Sequence, residues 1–232
     1  MRIQRALARA GVASRRAAEE LVSAGRVTVN GAPAHTGQTV TPGKDDIRVD
    51  GQPLAKPVAT QWFLLNKPQG TVTTRHDPGG RKTVFDLVPP TPGLTYVGRL
   101  DYLTEGVLLL TTDGAAAHKL AHPSGAVQRT YEATVRGDAL RAAERAVKGV
   151  LLDDGPVKPE RAIAKPTTDG RWCFEVTLRE GRNREVRRLC EALELQVDRL
   201  VRTAYGSITL GTLRAGEWRV LTPAEVKRLT KS

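Results

Sequence analysis

One carboxylate stands where a charge is hardest to keep. Asp101 follows Gly98-Arg99-Leu100 and leads through Tyr102-Leu103-Thr104-Glu105-Gly106 into Val107-Leu108-Leu109-Leu110. Those four aliphatic residues, with Thr111-Thr112 and an Asp113-Gly114 turn behind them, read as a strand buried on both faces. A charge beside such a core must be solvated, paired or used. Pairing in a salt-bridged loop is the plain reading; use would mean an ionised carboxylate acting as nucleophile or base. A second concentration of chemistry lies downstream. Arg182, Arg184, Arg187 and Arg188 crowd the start of a helix whose apolar face is Val186, Leu189, Cys190 and Leu193. The helix dipole disfavours cations at that end unless an anion arrives, so the pattern fits either a solvated basic face or an anion site. His118 and His122 stand four apart, as in helical zinc sites. No Glu follows His118 and no third ligand is evident, so no metal is expected.

The elements that must position these groups follow from periodicity. Trp62-Phe63-Leu64-Leu65 reads as a strand, 66–70 as a turn and Thr71-Val72-Thr73-Thr74 as the returning strand. Residues 75–95 are rich in Pro, Gly, Asp and Arg around Val84, Phe85, Leu87 and Val88, and form either a flank of a cleft or a plain surface loop. A short helix at 115–121 ends at His122-Pro123. From Gln128 to Val135 the chain alternates as a strand, with Tyr131, Ala133 and Val135 on one face. An amphipathic helix over 138–148 is expected to turn Leu140, Ala143, Ala146 and Val147 inward. Val150-Leu151-Leu152 and Ala162-Ile163-Ala164 read as strands around an Asp153-Asp154-Gly155 turn, and Trp172, Phe174, Val176 and Leu178 as one further half-buried strand. Strands interspersed with helices in this way indicate an α+β fold.

The first fifty residues differ in character. Ile3, Ala6, Leu7 and Ala10 fall at helical spacing, Ser14 is placed to cap a second helix striped by Ala17, Ala18, Leu21 and Val22, and Gly25 ends it. Asn30-Gly31 signals a tight turn after Val27 and Val29, and Ile47 and Val49 form another short strand. Arg2, Arg5, Arg9, Arg15, Arg16 and Arg26 lie on or beside the two helices. Residues 51–60, with two prolines and no periodicity, read as an extended tether.

At 232 residues the chain has room for one large domain and one small one. Its 36 basic and 25 acidic residues leave a net charge of +11, which favours a polyanionic partner. No stretch approaches the roughly 18 apolar residues that span a bilayer, and no basic-then-apolar leader opens the sequence, so no membrane association and a cytoplasmic location are expected. Cys173 and Cys190 show no pairing pattern and read as reduced thiols.

The stretch around Asp101 resembles the catalytic signature of the RsuA/RluB family of pseudouridine synthases, which isomerise uridines of ribosomal RNA. The shared pattern is Gly98-Arg99-Leu100-Asp101, then Thr104 and Gly106, then the aliphatic run closing on Thr111-Thr112-Asp113-Gly114. Ser14-Arg15-Arg16, a helix, and Gly25-Arg26-Val27-Thr28-Val29-Asn30-Gly31 resemble the S4 RNA-binding domain. Asn66-Lys67-Pro68 resembles the turn that opens the family's catalytic domain, and Tyr131 matches the family's tyrosine in an Arg-x-Tyr strand. Glu180-Gly181-Arg182-Asn183-Arg184-Glu185-Val186-Arg187-Arg188 resembles its third motif. The tails at 200–206 and 213–219 are also similar.

The resemblance implies an S4 domain over 1–50 (a helix pair with short strands), a linker over 51–60 and a catalytic domain over 61–232 with a mixed, mostly antiparallel sheet. It implies Asp101 as the essential carboxylate, acting as nucleophile or as base at C2′. Arg187 would pair with that carboxylate, and Tyr131 would stack on a flipped uridine. Arg99 would fill the space the base vacates, and Arg182 and Arg184 would meet phosphate. Arg2, Arg5, Arg9, Ser14, Arg15, Arg16 and Arg26 would contact RNA through the S4 module. Because pseudouridine is an isomer of uridine, no cofactor is expected; a monomer acting on structured ribosomal RNA is. Large-subunit RNA is the first expectation and small-subunit RNA the second. A non-catalytic RNA-binding assembly factor and a DNA- or tRNA-acting enzyme are the readings from other classes.

Overall fold

A computed structural model describes residues 1–55 and 59–231 and divides the chain into two compact units. The first comprises Met1–Gln61 with Pro90–Thr95 and Thr111–Ala115; the second comprises Trp62–Pro89, Tyr96–Leu110 and Ala116–Ser232.

In the first unit, helices α1 (Ile3–Arg9) and α2 (Arg15–Ser23) precede strands β1 (Val27–Val29), β2 (Ala32–Pro33), β3 (Ile47–Val49) and β4 (Gln52–Pro53). The side-chain oxygen of Ser14 accepts from the backbone N–H of Ala17 at 3.2 Å, the cap its position calls for. The strands form an antiparallel sheet in the order β2-β1-β3-β4 over a core of Ile3, Leu7, Ala18, Val22, Val27 and Ile47. Two hairpins use the same chemistry. Asn30-Gly31 and Asp50-Gly51 each place both residues at positive φ, from 50° to 81°, as a type I′ turn requires. The second hairpin corrects the expected tether at 51–60: Gln52 and Pro53 pair with Val49 and Arg48, and Leu54 packs on the core. The Asp-Gly pair folds the chain back rather than releasing it. The part of that tether at 56–58 lies outside the described residues.

The second unit is built on one mixed sheet. Its strands are β5 (Trp62–Lys67), β6 (Thr95–Val97), β7 (Thr104–Thr111), β8 (Arg129–Arg136), β11 (Arg161–Pro166), β12 (Trp172–Leu178), β13 (Gln196–Tyr205), β14 (Ile208–Thr209) and β15 (Trp218–Val220). The main path runs β11-β12-β8-β13-β7-β5-β15, with β14 on β13 and β6 on β7. The β13–β7 pair is parallel, while β11–β12, β12–β8, β13–β8 and β15–β5 are antiparallel. Strand β7 is buried at all eight positions, so the aliphatic run beside Asp101 lies inside the sheet as expected. Helices α3 (Gly114–Ala121), α4 (Ala139–Lys148), α5 (Glu185–Ala192) and α6 (Pro223–Thr230) complete the unit with a separate hairpin of β9 (Val150–Leu152) and β10 (Gly155–Val157).

Three expectations need correction. Residues 71–74 do not return as a strand; Val72 forms a lone parallel bridge to Thr83, ahead of a 3-10 turn at Val84–Leu87. The partner of β9 is β10, because the Asp153-Asp154-Gly155 turn closes a tight hairpin before the chain reaches 161. In α4 the inward face is Ala139, Ala142, Ala143 and Ala146, while Leu140 is 54% and Val147 38% exposed. The helix lies against β11 through its small residues, and the two large aliphatics point away.

Candidate active site

Both sides of Asp101 are fixed before its carboxylate is considered. Upstream, Thr73 holds the backbone of buried Leu100: its Oγ1 donates to the carbonyl at 2.9 Å and accepts from the N–H at 3.4 Å. Downstream, Thr104 N–H donates to the Asp101 carbonyl at 3.0 Å as β7 begins. The half-buried Asp101 is therefore held on a short, pinned loop at the end of a buried strand.

It lines a cleft of about 280 Å³ shared with Arg99, Tyr131, Arg182, Arg184 and Arg187. That volume lies near the lower bound of roughly 300 Å³ for small-ligand pockets, a size suited to one nucleotide. Three separate segments, the 98–103 loop, β8 and the start of α5, thus bring the two sequence concentrations to one place.

The individual residues differ in how free they are. Arg187 Nη2 donates to the Leu103 carbonyl at 3.0 Å, and its Nε is buried without a partner. Burial and the neighbouring Arg184 lower its pKa while the charge of Asp101 raises it; among the described residues no direct ion pair joins Arg187 to Asp101. Arg182 is half-buried and tied down by the protein's own groups. It bonds Glu180 at 3.0 Å, Asp154 at 3.3 Å and the carbonyls of Gly155 and Pro156 at 3.1 and 2.8 Å. Arg182 therefore clasps the β9–β10 turn to the start of α5. Arg184 is exposed and left-handed, with φ 48°, at the N-cap of α5. Arg99 is exposed at the rim. Burial, with the charge of Glu180, pushes the Glu185 carboxyl up to about 7; it sits at the first position of α5, where a negative charge suits the helix dipole.

Sequence reasoning passed over three buried cations. Lys67 has no exposed surface, and its Nζ donates to the carbonyls of Thr104 at 2.8 Å, Pro68 at 3.0 Å and Tyr102 at 3.4 Å. Burial lowers its pKa to about 8 against the opposing pull of Asp101 and Glu105. Arg129 and Arg202 are buried and line the cleft, each with its guanidinium 5.2 or 5.0 Å from the ring centre of Tyr205. The available signal was an arginine interrupting an otherwise apolar strand, as Arg202 interrupts Leu200-Val201 and Ala204-Tyr205. His118 and His122 stack with ring centres 5.6 Å apart, and His122 Nδ1 bonds Ser124 Oγ at 2.8 Å.

In the first unit all six candidate arginines are exposed. Arg26 forms a two-pronged pair with Asp50 at 2.9 and 2.6 Å, Arg2 donates to the Gly37 carbonyl and Arg9 to Thr60 at 3.3 Å. Among the described residues Arg5, Arg15 and Arg16 form no ion pair, and Ser14 is engaged in its cap.

Comparison with known proteins places the chain in a family. Residues 61–192 match the family model described as RNA pseudouridylate synthase, and residues 1–46 match that of the S4 domain. The ribosomal large subunit pseudouridine synthase B of Xanthomonas campestris is 44% identical over 90% of this chain. The chain spans only 44% of the length of that relative and 40% of the one from Xanthomonas axonopodis. An uncharacterized RNA pseudouridine synthase of Mycobacterium tuberculosis is 42% identical, covering 99% of this chain and 92% of its own. A crystal structure titled pseudouridylate synthase superimposes with a TM-score of 0.67 at 28% identity over 99% of both chains. With a family model covering more than half its residues and a full-length relative above 40% identity, the chain belongs to the RNA pseudouridylate synthase family and carries an S4 domain ahead of the synthase fold.

Proposed function

We propose that this protein converts a specific uridine of large-subunit ribosomal RNA into pseudouridine, as a cytoplasmic monomer, with Asp101 as the reacting carboxylate. The observation that carries the reading is the convergence of Asp101, Tyr131 and Arg187 from distant segments on one nucleotide-sized cleft. The large-subunit choice rests on the names of the Xanthomonas relatives. Pseudouridine formation breaks N1–C1′, turns the base and joins C5 to C1′, so it consumes no co-substrate. A stacked uridine must leave its helix to reach the cleft, at a cost of a few kcal/mol. Arg99, exposed at the rim, is placed to occupy the gap, and Tyr131 to stack on the extruded base. Arg187, close enough to Asp101 to feel its charge, orients the carboxylate or a phosphate beside it.

The test compares wild-type protein and Asp101→Asn on unmodified transcripts of both ribosomal RNAs, followed by mapping of pseudouridine. Conversion at one large-subunit site by the wild type, and none by the variant, is the expected result. Conversion confined to the small-subunit transcript would move the substrate; undiminished conversion by the variant would remove Asp101 from the chemistry.

A further inference from the structure

Arg202 is the most deeply buried arginine at the cleft, 2% exposed, and part of its hydrogen-bonding capacity is left over. Its Nε donates to the Val107 carbonyl at 2.8 Å, while Nη2 is buried and unpartnered. By contrast Arg129 is satisfied: Nη1 donates to the carbonyls of Val127 and Arg179 at 3.1 and 2.8 Å, and Nη2 to Tyr205 Oη at 3.4 Å. Among the described residues neither arginine has a carboxylate partner, and Glu105 nearby is taken by Arg199 in a two-pronged pair at 2.9 and 2.8 Å. Two guanidinium groups are therefore held in the sheet without counterions.

The sheet places Arg202 with care. It pairs directly with Tyr131 on β8 and with Gly106 on β7, and directly opposed residues of an antiparallel pair carry their side chains on one face. The register shifts just after it, between Arg202 and Ala204, a bulge of the kind that re-aims side chains beside sites. On the other flank Gly106, at φ 107°, lets the backbone of Arg202 approach so closely that a Cβ would lie 2.2 Å from its carbonyl oxygen. The glycine of the Asp101 motif thus lets the backbone of Arg202 lie close against β7. A buried cation lacking a counterion is costly unless a ligand supplies the missing partner, and this one lines the same cleft as Asp101 and Tyr131.

We infer that Arg202 is a further catalytic residue, whose free Nη group donates to a carbonyl oxygen of the extruded uracil and stabilises the negative charge that the base acquires when its bond to the sugar breaks. The inference rests on the pseudouridine synthase reading above. In that step the electron pair of N1–C1′ leaves with the base, giving a uracil anion whose charge is shared among N1, O2 and O4. C1′ is taken by the Asp101 carboxylate, or else C2′ loses its proton to that carboxylate and C1′=C2′ forms. After rotation C5 gives an electron pair to C1′; in the first route the C1′–O bond breaks as this happens and its pair returns to the Asp101 carboxylate. The C5 proton is then lost and N1 is protonated. In the second route C2′ also recovers its proton. A phosphate stays with the backbone at the rim, whereas the depth of Arg202 between β7 and β8 fits the base.

Wild-type protein, Arg202→Met and Arg202→Lys are compared in single-turnover reactions on an unmodified large-subunit ribosomal RNA transcript. RNA affinity and thermal unfolding are measured alongside. Arg202→Met should lose about 10² to 10³ in rate, the range seen when one anion-stabilising donor is removed. Its RNA affinity should stay within threefold and its melting temperature at or above wild type, since a buried unpaired charge has been removed. Arg202→Lys should fall between the two. On the same transcript made with 5-fluorouridine, whose base leaves more readily as an anion but has no C5 proton to lose, the rate followed is consumption of the N1-linked nucleoside, and the deficit of Arg202→Met should shrink at least tenfold. An unchanged rate, a deficit equal for both bases, a loss explained by weaker RNA binding, or the failure of both variants to fold would each overturn the assignment. Absence of conversion by the wild type would instead reject the parent reading.

Discussion

Lys67 shows how far a single side chain can depart from its sequence context. In the strand-turn reading Asn66-Lys67-Pro68 is a polar corner, yet the ammonium group is wholly buried and faces three carbonyls. Burial lowers its pKa to about 8 from an ordinary value of 10.5. Between those two values the unfolded chain holds a proton that the folded chain has released, so this group's contribution to stability rises with pH across that window. Below about 8 the buried charge is present in full and the contribution is at its least favourable. A side-chain NMR titration should find one lysine ionising near pH 8, and Lys67→Met should remove both that titration and the rise in stability between pH 8 and 10.5. If every lysine titrates near 10.5, the carbonyl cage does not hold the group as described. Asp101 could be found from the sequence because it stood beside an apolar run within a dense motif. Lys67 and Arg202 could not, because their burial comes from β7, whose carbonyls arrive from thirty-seven and ninety-five residues away along the chain.

Among the elements, strands β7 and β12 were more legible than the face of helix α4. Strand β12 alternates as written, and β7 is buried throughout, because a strand's period of two fixes which side each residue takes. Helix α4 was misread for a specific reason. Leu140 and Val147 dominate any hydropathy count, but the approach of β11 requires the small side chains of Ala139, Ala142, Ala143 and Ala146. The corrected face makes an inverted expectation about mutation. Leu140→Glu should change stability by no more than about 0.5 kcal/mol, as surface changes do. Ala142→Leu should cost about 1 to 3 kcal/mol by overpacking. Urea unfolding of the two variants decides it: a large loss from Leu140→Glu with none from Ala142→Leu would restore the original orientation. The irregular 71–89 segment resisted the sequence because its geometry depends on particular side-chain bonds. Asp77 with Arg81 at 2.6 Å, Asp86 with Thr83 at 2.7 Å and Thr73 with Leu100 at 2.9 Å leave no periodic trace.

For the whole molecule, the net charge of +11 was plain from the sequence, but its division between structure and ligand was not. Arg26, Arg182, Arg188 and Arg199 are occupied by Asp50, Glu180 with Asp154, Asp154 and Glu105. Arg5, Arg15, Arg16, Arg99 and Arg184 are exposed. Two populations of arginine should therefore answer differently to salt. Phosphate contacts release counterions, so each one lost reduces the slope of log affinity against log salt by about 0.7 to 0.9. Replacing Arg5, Arg15 and Arg16 together with glutamine should weaken RNA binding and lower that slope by about 2 to 3, leaving thermal unfolding unchanged. Arg182→Gln should do the reverse, reducing stability with the salt slope intact, because it detaches the β9–β10 turn from α5 and removes no phosphate contact. Titrations of one ribosomal RNA fragment at several salt concentrations separate the two. A slope that falls with Arg182→Gln and stays fixed with the triple variant would mean that the ion pairs of Arg182 open to admit RNA, and that the free arginines of the first unit lie away from it.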